Sequence, residues 1–215
     1  MRVLTWNLFH GRSIPPAHRD LRREFAAALA TWDWDVALLQ EVPPWWPPLL
    51  GADDHATALT SRNCGLPLRR LVAERWPDLI KSNGGGSNAI LVRRDAIVAH
   101  GRRRLRRLPE RRVVQAVRLR SGVWLGNLHA QVRPAAWAEA DIALAASWLL
   151  RRSGNEPVVL GGDFNVREPR PAGFAHAGGH GVDHVFVRGL RPEGVERPRR
   201  HGLSDHDPVI VTVGS

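Results

Sequence analysis

The sequence predicts an α/β protein built on packed, mixed β-sheets, and two observations predict it. Short apolar runs of strand type outnumber the helical stripes, and many of them adjoin in sequence with nothing helical between. A simple alternating βαβ chain would not read this way.

The elements follow in order. Residues 2–7 alternate Val3, Thr5 and Asn7 against Leu4 and Trp6, a strand pattern. Residues 20–32 place Leu21, Phe25, Ala28, Leu29 and Trp32 on one helical face. The run VALLQ at 36–40 has the composition of a buried strand and ends at Glu41. PPWWPP then makes a rigid turn, because each proline fixes φ and removes a donor. Residues 67–80 read as helix until Pro77 interrupts them, residues 84–86 as a glycine loop, and 88–93 as a strand. From 97 to 130 the pattern is strand-like, with a turn at Ser121-Gly122. Pro134 opens a helix that runs to about residue 151, with Trp137, Ile142, Leu144, Ala145, Trp148 and Leu149 as its stripe. Residues 158–160 lead as a buried strand into GGDFN, and 182–187 and 209–213 are the last two strands.

At 215 residues with 43% hydrophobic content, the chain holds one good-sized core, and residues 1–215 read as a single domain. No apolar run approaches the roughly 18–20 residues that a membrane helix needs. The first residues enter a strand pattern at once and lack the order of a signal peptide. Cys64 is the only cysteine, which fits a reducing compartment, so the cytoplasm is the expected location. Nothing in the sequence points to an obligate protein partner. The net charge is +10, and 30 of the 31 basic residues are arginines, Lys81 being the exception. An excess of positive charge attracts polyanions such as nucleic acid, or it simply keeps the protein soluble.

Polar side chains gather at the ends of apolar runs: Asn7, Glu41, His129, Asp163 with Asn165, and Asp205 with His206. Any one of these is more often a cap or turn former than a catalyst. Together they supply what cleavage of a phosphodiester requires. Carboxylates hold a hard divalent cation, and the cation neutralises phosphoryl charge. Histidines pass protons or, when charged, bind the phosphate, and asparagines orient without adding charge. No cysteine pair or His-Glu-x-x-His helix suggests another metal chemistry.

LTWNL, LLQEV, SNAILVRR, GNLHA, LGGDFN, VDHVFV and LSDHDPV occur here in one order across residues 3–213. This ordered set resembles the endonuclease/exonuclease/phosphatase superfamily, which includes pancreatic deoxyribonuclease, abasic-site endonucleases, inositol polyphosphate phosphatases and neutral sphingomyelinases. The resemblance implies a four-layer α/β sandwich, with two mixed β-sheets face to face, helices outside, and the site at one end. It implies that Asn7 orients the phosphate and that Glu41 is the principal Mg²⁺ ligand, with Mn²⁺ as a substitute. It implies His129 as a general acid towards the leaving oxygen and Asp163 as the residue that orients or deprotonates water, with Asn165 beside it. Asp183 would fix the tautomer and charge of His206, His206 would contact the phosphate, and Asp205 would complete the metal site. Asp207 falls outside the pattern and reads as a turn acid.

The substrate is less legible. Residues 102–112 carry seven arginines, among them Arg102 and Arg104, which would track a phosphate backbone or else protect an edge strand by charge. Trp45 and Trp46 would stack bases if exposed and cap the core if buried. Asn88, in SNAILVRR, is a further candidate for substrate contact. The segment GFAHAGGHGVD is glycine-rich with Phe174 as its one aromatic, unlike that of abasic-site endonucleases. The leading expectation is a Mg²⁺-dependent phosphodiesterase acting on nucleic acid, whether as endonuclease or exonuclease. The alternatives are a phosphatase or phosphodiesterase on a small or lipid-linked phosphoester, and a catalytically silent nucleic-acid-binding module.

Overall fold

A computed structural model of the chain describes residues 1–60, 67–79 and 86–214, apart from the side chains of residues 67, 69 and 79. Cys64, Lys81 and the first two glycines of the expected 84–86 loop lie outside the described residues. The strands are β1 (Arg2–Asn7), β2 (Val36–Val42), β3 (Asp54–Leu59), β4 (Ser87–Val92), β5 (Ile97–Arg106) and β6 (Arg112–Leu119), followed by β7 (Trp124–His129), β8 (Val158–Asp163), β9 (Ala175–His180), β10 (Asp183–Arg188), β11 (Arg191–Glu196) and β12 (Val209–Gly214). The helices are α1 (Arg22–Thr31), α2 (Pro67–Arg75) and α3 (Ala135–Ser153).

The strands form two six-stranded mixed sheets, ordered β11-β12-β1-β2-β4-β3 and β5-β6-β7-β8-β10-β9. Each has one parallel pair at its centre, β1 with β2 across α1 and β7 with β8 across α3. Strand alternation divides the side chains between layers. Val3, Val36, Leu38, Ile90, Val159, Val185 and Val211 face the space between the sheets, a cluster made mostly of valine. Leu4, Trp6, Leu39 and Leu91 face the other way, onto Phe25 and Leu29 of α1. Leu128, Val158, Leu160 and Phe186 face outward onto Ala138, Ile142, Ala145 and Leu149 of α3. The architecture is therefore the expected four-layer sandwich. Trp137 departs from the stripe read for α3: it is 40% exposed, and the Arg106 guanidinium lies 4.6 Å from its ring centroid.

Three strands have no counterpart in the sequence reading: β3, β9 and β11. All three are sheet edges. An edge strand covers little core, so its residues need not alternate, and β11 (RPEGVE) is exposed along its whole length.

A polar layer crosses the valine interface near one end. Asn127 on β7 donates to the carbonyls of Leu39 and Ala89 at 2.8 and 2.9 Å and accepts from Gln40 Nε2 at 2.8 Å. Asn88 on β4 donates to the Val113 carbonyl on β6 at 2.9 Å. These bonds are directional and fix how one sheet lies on the other, which apolar contact alone does not. Gly162 serves the same close fit within one sheet. Its φ is +139°, and a Cβ there would lie 1.9 Å from the Leu128 carbonyl oxygen.

Asn127→Ala strands two carbonyls and one amide in the interior. Its expected cost is about 3 kcal/mol of unfolding free energy. Urea unfolding with an unchanged m-value checks this, and a loss below about 1 kcal/mol would show that the layer does not hold the sheets.

Candidate active site

The site lies at the end of the sandwich where both parallel pairs terminate, the position at which open α/β sheets bind ligands. Asn7 ends β1, Glu41 lies near the end of β2, His129 ends β7, Asp163 ends β8, and Asp183 opens β10 beside Asp163. Asp205 and His206 come from the loop before β12. A cleft of about 500 Å³ is lined by Asn7, Glu41, His129, Asp163, Asn165, Asp205 and His206, together with Phe9, His10, Arg12 and Val132.

Several of these side chains sit on unusual backbone. Glu41 has φ +50° and occupies an irregularity where β2 slips its register on β4. Asn165 has φ +51° and Ser204 +61°. Such conformations in residues other than glycine cost energy and persist where the surroundings impose them. The imposing contacts are visible. The Asn165 amide donates to Asp163 Oδ1 at 2.9 Å, and its side chain donates to the Ala130 carbonyl at 3.0 Å. Ser204 Oγ donates to the Asn7 carbonyl at 2.6 Å and accepts from the His206 amide at 3.0 Å. Trp6 Nε1 donates to the His206 carbonyl at 3.0 Å.

Within the cleft, Asn7 Nδ2 donates across the sheet seam to Asp163 Oδ2 at 3.0 Å. His206 Nδ1 lies 2.7 Å from Asp183 Oδ2, and its Nε2 lies 3.8 Å from Asp163 and 3.9 Å from Asp205. His129 Nε2 stands 3.5 Å from Asp163 and 3.8 Å from Glu41. Burial would lower the His206 pKa, but its hydrogen bond to Asp183 and the charges of Asp183, Asp163 and Asp205 raise it to about 9. His129 goes the other way, well below the usual histidine value, through burial and the charge of Arg112. The two histidines therefore differ at neutral pH: His206 is imidazolium and His129 is imidazole. Burial raises the Asp163 pKa, and the neighbouring Asp183 adds to this. Burial also raises Asp183, against the pull of His206. For Glu41, burial is outweighed by the His10 hydrogen bond and by the charges of His10, His129 and Arg112, which hold it well below the ordinary carboxylate range.

Asp163, Asp183 and His206 offer ligand atoms within 4.8 Å of one another. His206 Nδ1 is engaged by Asp183 Oδ2 at 2.7 Å, so without a metal this trio is held together as an ion-paired cluster. Glu41 and Asp205 remain as hard oxygen donors facing the open cleft, of the kind that Mg²⁺ or Mn²⁺ takes.

The structure keeps five other candidates out of the cleft. Asn88 is fully buried and spends its amide on Val113, because its strand faces the opposite sheet at that position. Trp46 is 3% exposed, packs its ring tilted against Phe25 with centroids 5.5 Å apart, and fills the space above Gly11, so it caps the core. Trp45 packs half-buried on the same cluster. Arg102 and Arg104 project from edge strand β5, exposed and away from the cleft. Asp207 pairs with Arg200 at 3.0 Å, as suits a turn acid.

Four residues that the sequence reading did not single out belong to the site or support it. His10 Nε2 lies 3.0 Å from Glu41 Oε2, aimed there by a left-handed turn with φ +49°, +55° and +78° at Phe9, His10 and Gly11. Arg12 lines the cleft, Arg112 lies buried behind His129, and Ser204 ties the last loop to β1. The glycine after His10 was the one available signal.

The endonuclease/exonuclease/phosphatase family model matches residues 4–206, and the chain belongs to this family of hydrolases acting on phosphoesters. Among solved structures, an endonuclease/exonuclease/phosphatase from Beutenbergia cavernae is similar at 18% identity and TM-score 0.74, covering 100% of this chain and 71% of that one. A mannosyl-6-phosphatase from Bacteroides thetaiotaomicron is similar at 16% identity and TM-score 0.69, over 100% of both chains. TDP2 from Caenorhabditis elegans is similar at 16% identity and TM-score 0.64, covering 100% of this chain and 74% of that one. A search of curated proteins finds no match. Among the described residues no helix is long and apolar enough to cross a membrane.

In the metal-free protein, ring NMR should show His206 protonated through neutrality and losing its proton near pH 9. Asp183→Asn removes the partner anion and moves this midpoint down, towards the ordinary value near 6.5. A wild-type midpoint already near 6.5 would mean that the His206–Asp183 ion pair does not form.

Proposed function

We propose that the chain is a divalent-metal-dependent phosphodiesterase acting on nucleic acid. The observation that carries the reaction class is the His206 ring, held by Asp183 at 2.7 Å and facing the buried Asp163 in the cleft that Glu41 lines. The net charge of +10 supports a polyanionic substrate.

Glu41 and Asp205 would hold the ion. A bound Mg²⁺ or Mn²⁺ would supply charge neutralisation at the phosphoryl group. The chain's own residues do the rest. His206 donates from its charged ring to a phosphoryl oxygen, while Asp183 keeps the proton on it. Asp163, with a raised pKa, accepts a proton from the attacking water, and Asn7 and the Asn165 amide hold its carboxylate in place. Asn165 also lines the cleft, where it would lie beside a bound phosphate. His129, neutral in its buried position, serves the leaving oxygen as a hydrogen-bond donor.

A second reading is a phosphatase on a small phosphoester, favoured by the likeness to the mannosyl-6-phosphatase over the full length of both chains. Plasmid DNA, RNA, an inositol phosphate and a hexose phosphate, each with Mg²⁺ or with EDTA, separate the two. Phosphate release from the small substrates alone would sink the nucleic-acid reading.

Asp163→Asn or His206→Ala should lower turnover about a thousandfold with the circular dichroism spectrum preserved. Near-normal turnover in either variant overturns the assignment. Glu41→Gln should instead raise the Mg²⁺ concentration needed for half-maximal rate.

A further inference from the structure

Of the arginines that the described residues contain, the one lining the cleft is Arg12, outside the 102–112 cluster. Its setting is unusually fixed for a long cationic side chain. The guanidinium carbon lies 3.8 Å from the Phe9 ring centroid, and Nε donates to the Phe9 carbonyl at 3.2 Å. The backbone is held on both sides: the Arg12 amide donates to Phe9 at 3.1 Å, and the Arg12 carbonyl accepts from Ser204 at 2.9 Å. The Phe9 amide in turn donates to Asn7 Oδ1 at 2.9 Å, and the other end of that side chain holds Asp163. Arg12 is thus linked to Asp163 through Phe9 and Asn7 by three successive hydrogen bonds.

The terminal nitrogens of Arg12 have no carboxylate or carbonyl partner among the described residues, although Glu41 and Asp205 line the same cleft. By contrast Arg106 pairs with Asp141 at 3.4 Å, and Arg112 is bonded to Glu110 and Gln131. A guanidinium stacked on a ring, with one edge anchored and the fork left open, has lost its rotamer freedom before any ligand arrives. Its planar pair of donors matches a phosphate better than a single point charge would.

We infer that Arg12 and Phe9 form a subsite for a second phosphate of the substrate, the one adjoining the phosphate that is cleaved. This rests on the reading of the cleft as a phosphoester site. It deepens that reading by specifying substrates with two neighbouring phosphates, for which an isolated monoester is a poor match. A nucleic-acid strand carries such a pair, and so does a polyphosphorylated ring.

The test uses the full chain with Mg²⁺ and a short oligonucleotide, unmodified or with one neutral methylphosphonate on the 5′ or 3′ side of the cleaved bond. In the wild type, neutralising the adjoining phosphate should lower kcat/KM about tenfold or more. Arg12→Ala should lower kcat/KM on the unmodified strand by a similar factor, at least tenfold beyond its effect on bis(p-nitrophenyl) phosphate. The two losses should not multiply in the double comparison. Arg12→Lys should recover charge without the fork, and therefore recover only part of the rate. If the losses multiply for both methylphosphonates, or if Arg12→Ala affects the one-phosphate substrate equally, the subsite is refuted.

Comparing inositol bisphosphate with monophosphate distinguishes the source of the second phosphate. A loss confined to the bisphosphate keeps the subsite and moves the substrate to the small-molecule class. Oligonucleotide binding without metal supplies a readout independent of turnover. The slope of log affinity against log salt should fall by about one in Arg12→Ala. Should the wild type hydrolyse none of these compounds, the phosphodiesterase reading fails, and an unchanged salt slope would then overturn the subsite as well.

Discussion

The register of one sheet on the other is the constraint from which the active site follows. The interface is mostly valine, and valine contacts are non-directional: a slide of one residue along the strands would bury nearly the same apolar surface. The bonds from Asn127 to Leu39 and Ala89, and from Asn88 to Val113, permit one alignment. In that alignment Asn7 from the first sheet meets Asp163 from the second. A different slide would break these bonds between buried amides and carbonyls with no gain in apolar burial to offset the loss.

Above this layer the chain accepts backbone conformations that it avoids elsewhere in its strands. Phe9, His10, Glu41, Asn165 and Ser204 all have positive φ, and all lie in the cleft or support it. Each is held by an identified contact, so strain at the site is balanced by the rigid seam below. The electrostatics depend on the same placement. His129 and His206 differ in proton affinity because burial, with the charge of Arg112 added, lowers the first, while Asp183 at 2.7 Å and its neighbouring carboxylates outweigh burial at the second. Sequence type alone would assign them the same proton affinity.

The distribution of positive charge also changes meaning in three dimensions. Arg102, Arg103 and Arg104 of β5 face solvent on an edge strand, where they block edge-to-edge pairing and contribute to a long-range field. The arginine at the cleft, Arg12, instead follows a three-residue left-handed turn after β1. A field draws a polyanion towards the molecule, while a fixed guanidinium beside the reacting centre decides which phosphate is placed for cleavage.

The interior strands and the acids at their ends were legible in the sequence because burial on both faces demands apolar runs, and a run that stops abruptly at Asn7, Glu41, His129 or Asp163 marks the rim. Edge strands β3, β9 and β11 were not legible, since a strand with little core to cover carries no alternation. Trp45, Trp46 and Asn88 illustrate the same boundary from the other side. An indole beside prolines or an amide near a strand end has one identity in sequence, and its role depends on which layer it faces. His10, Arg112 and Ser204 act on residues distant in the chain, and apart from the glycine after His10 nothing local distinguishes these or Arg12. The residues at the ends of the buried strands were thus set by local pattern, and the partners that give those residues charge, orientation and reach were set by the packing of two sheets.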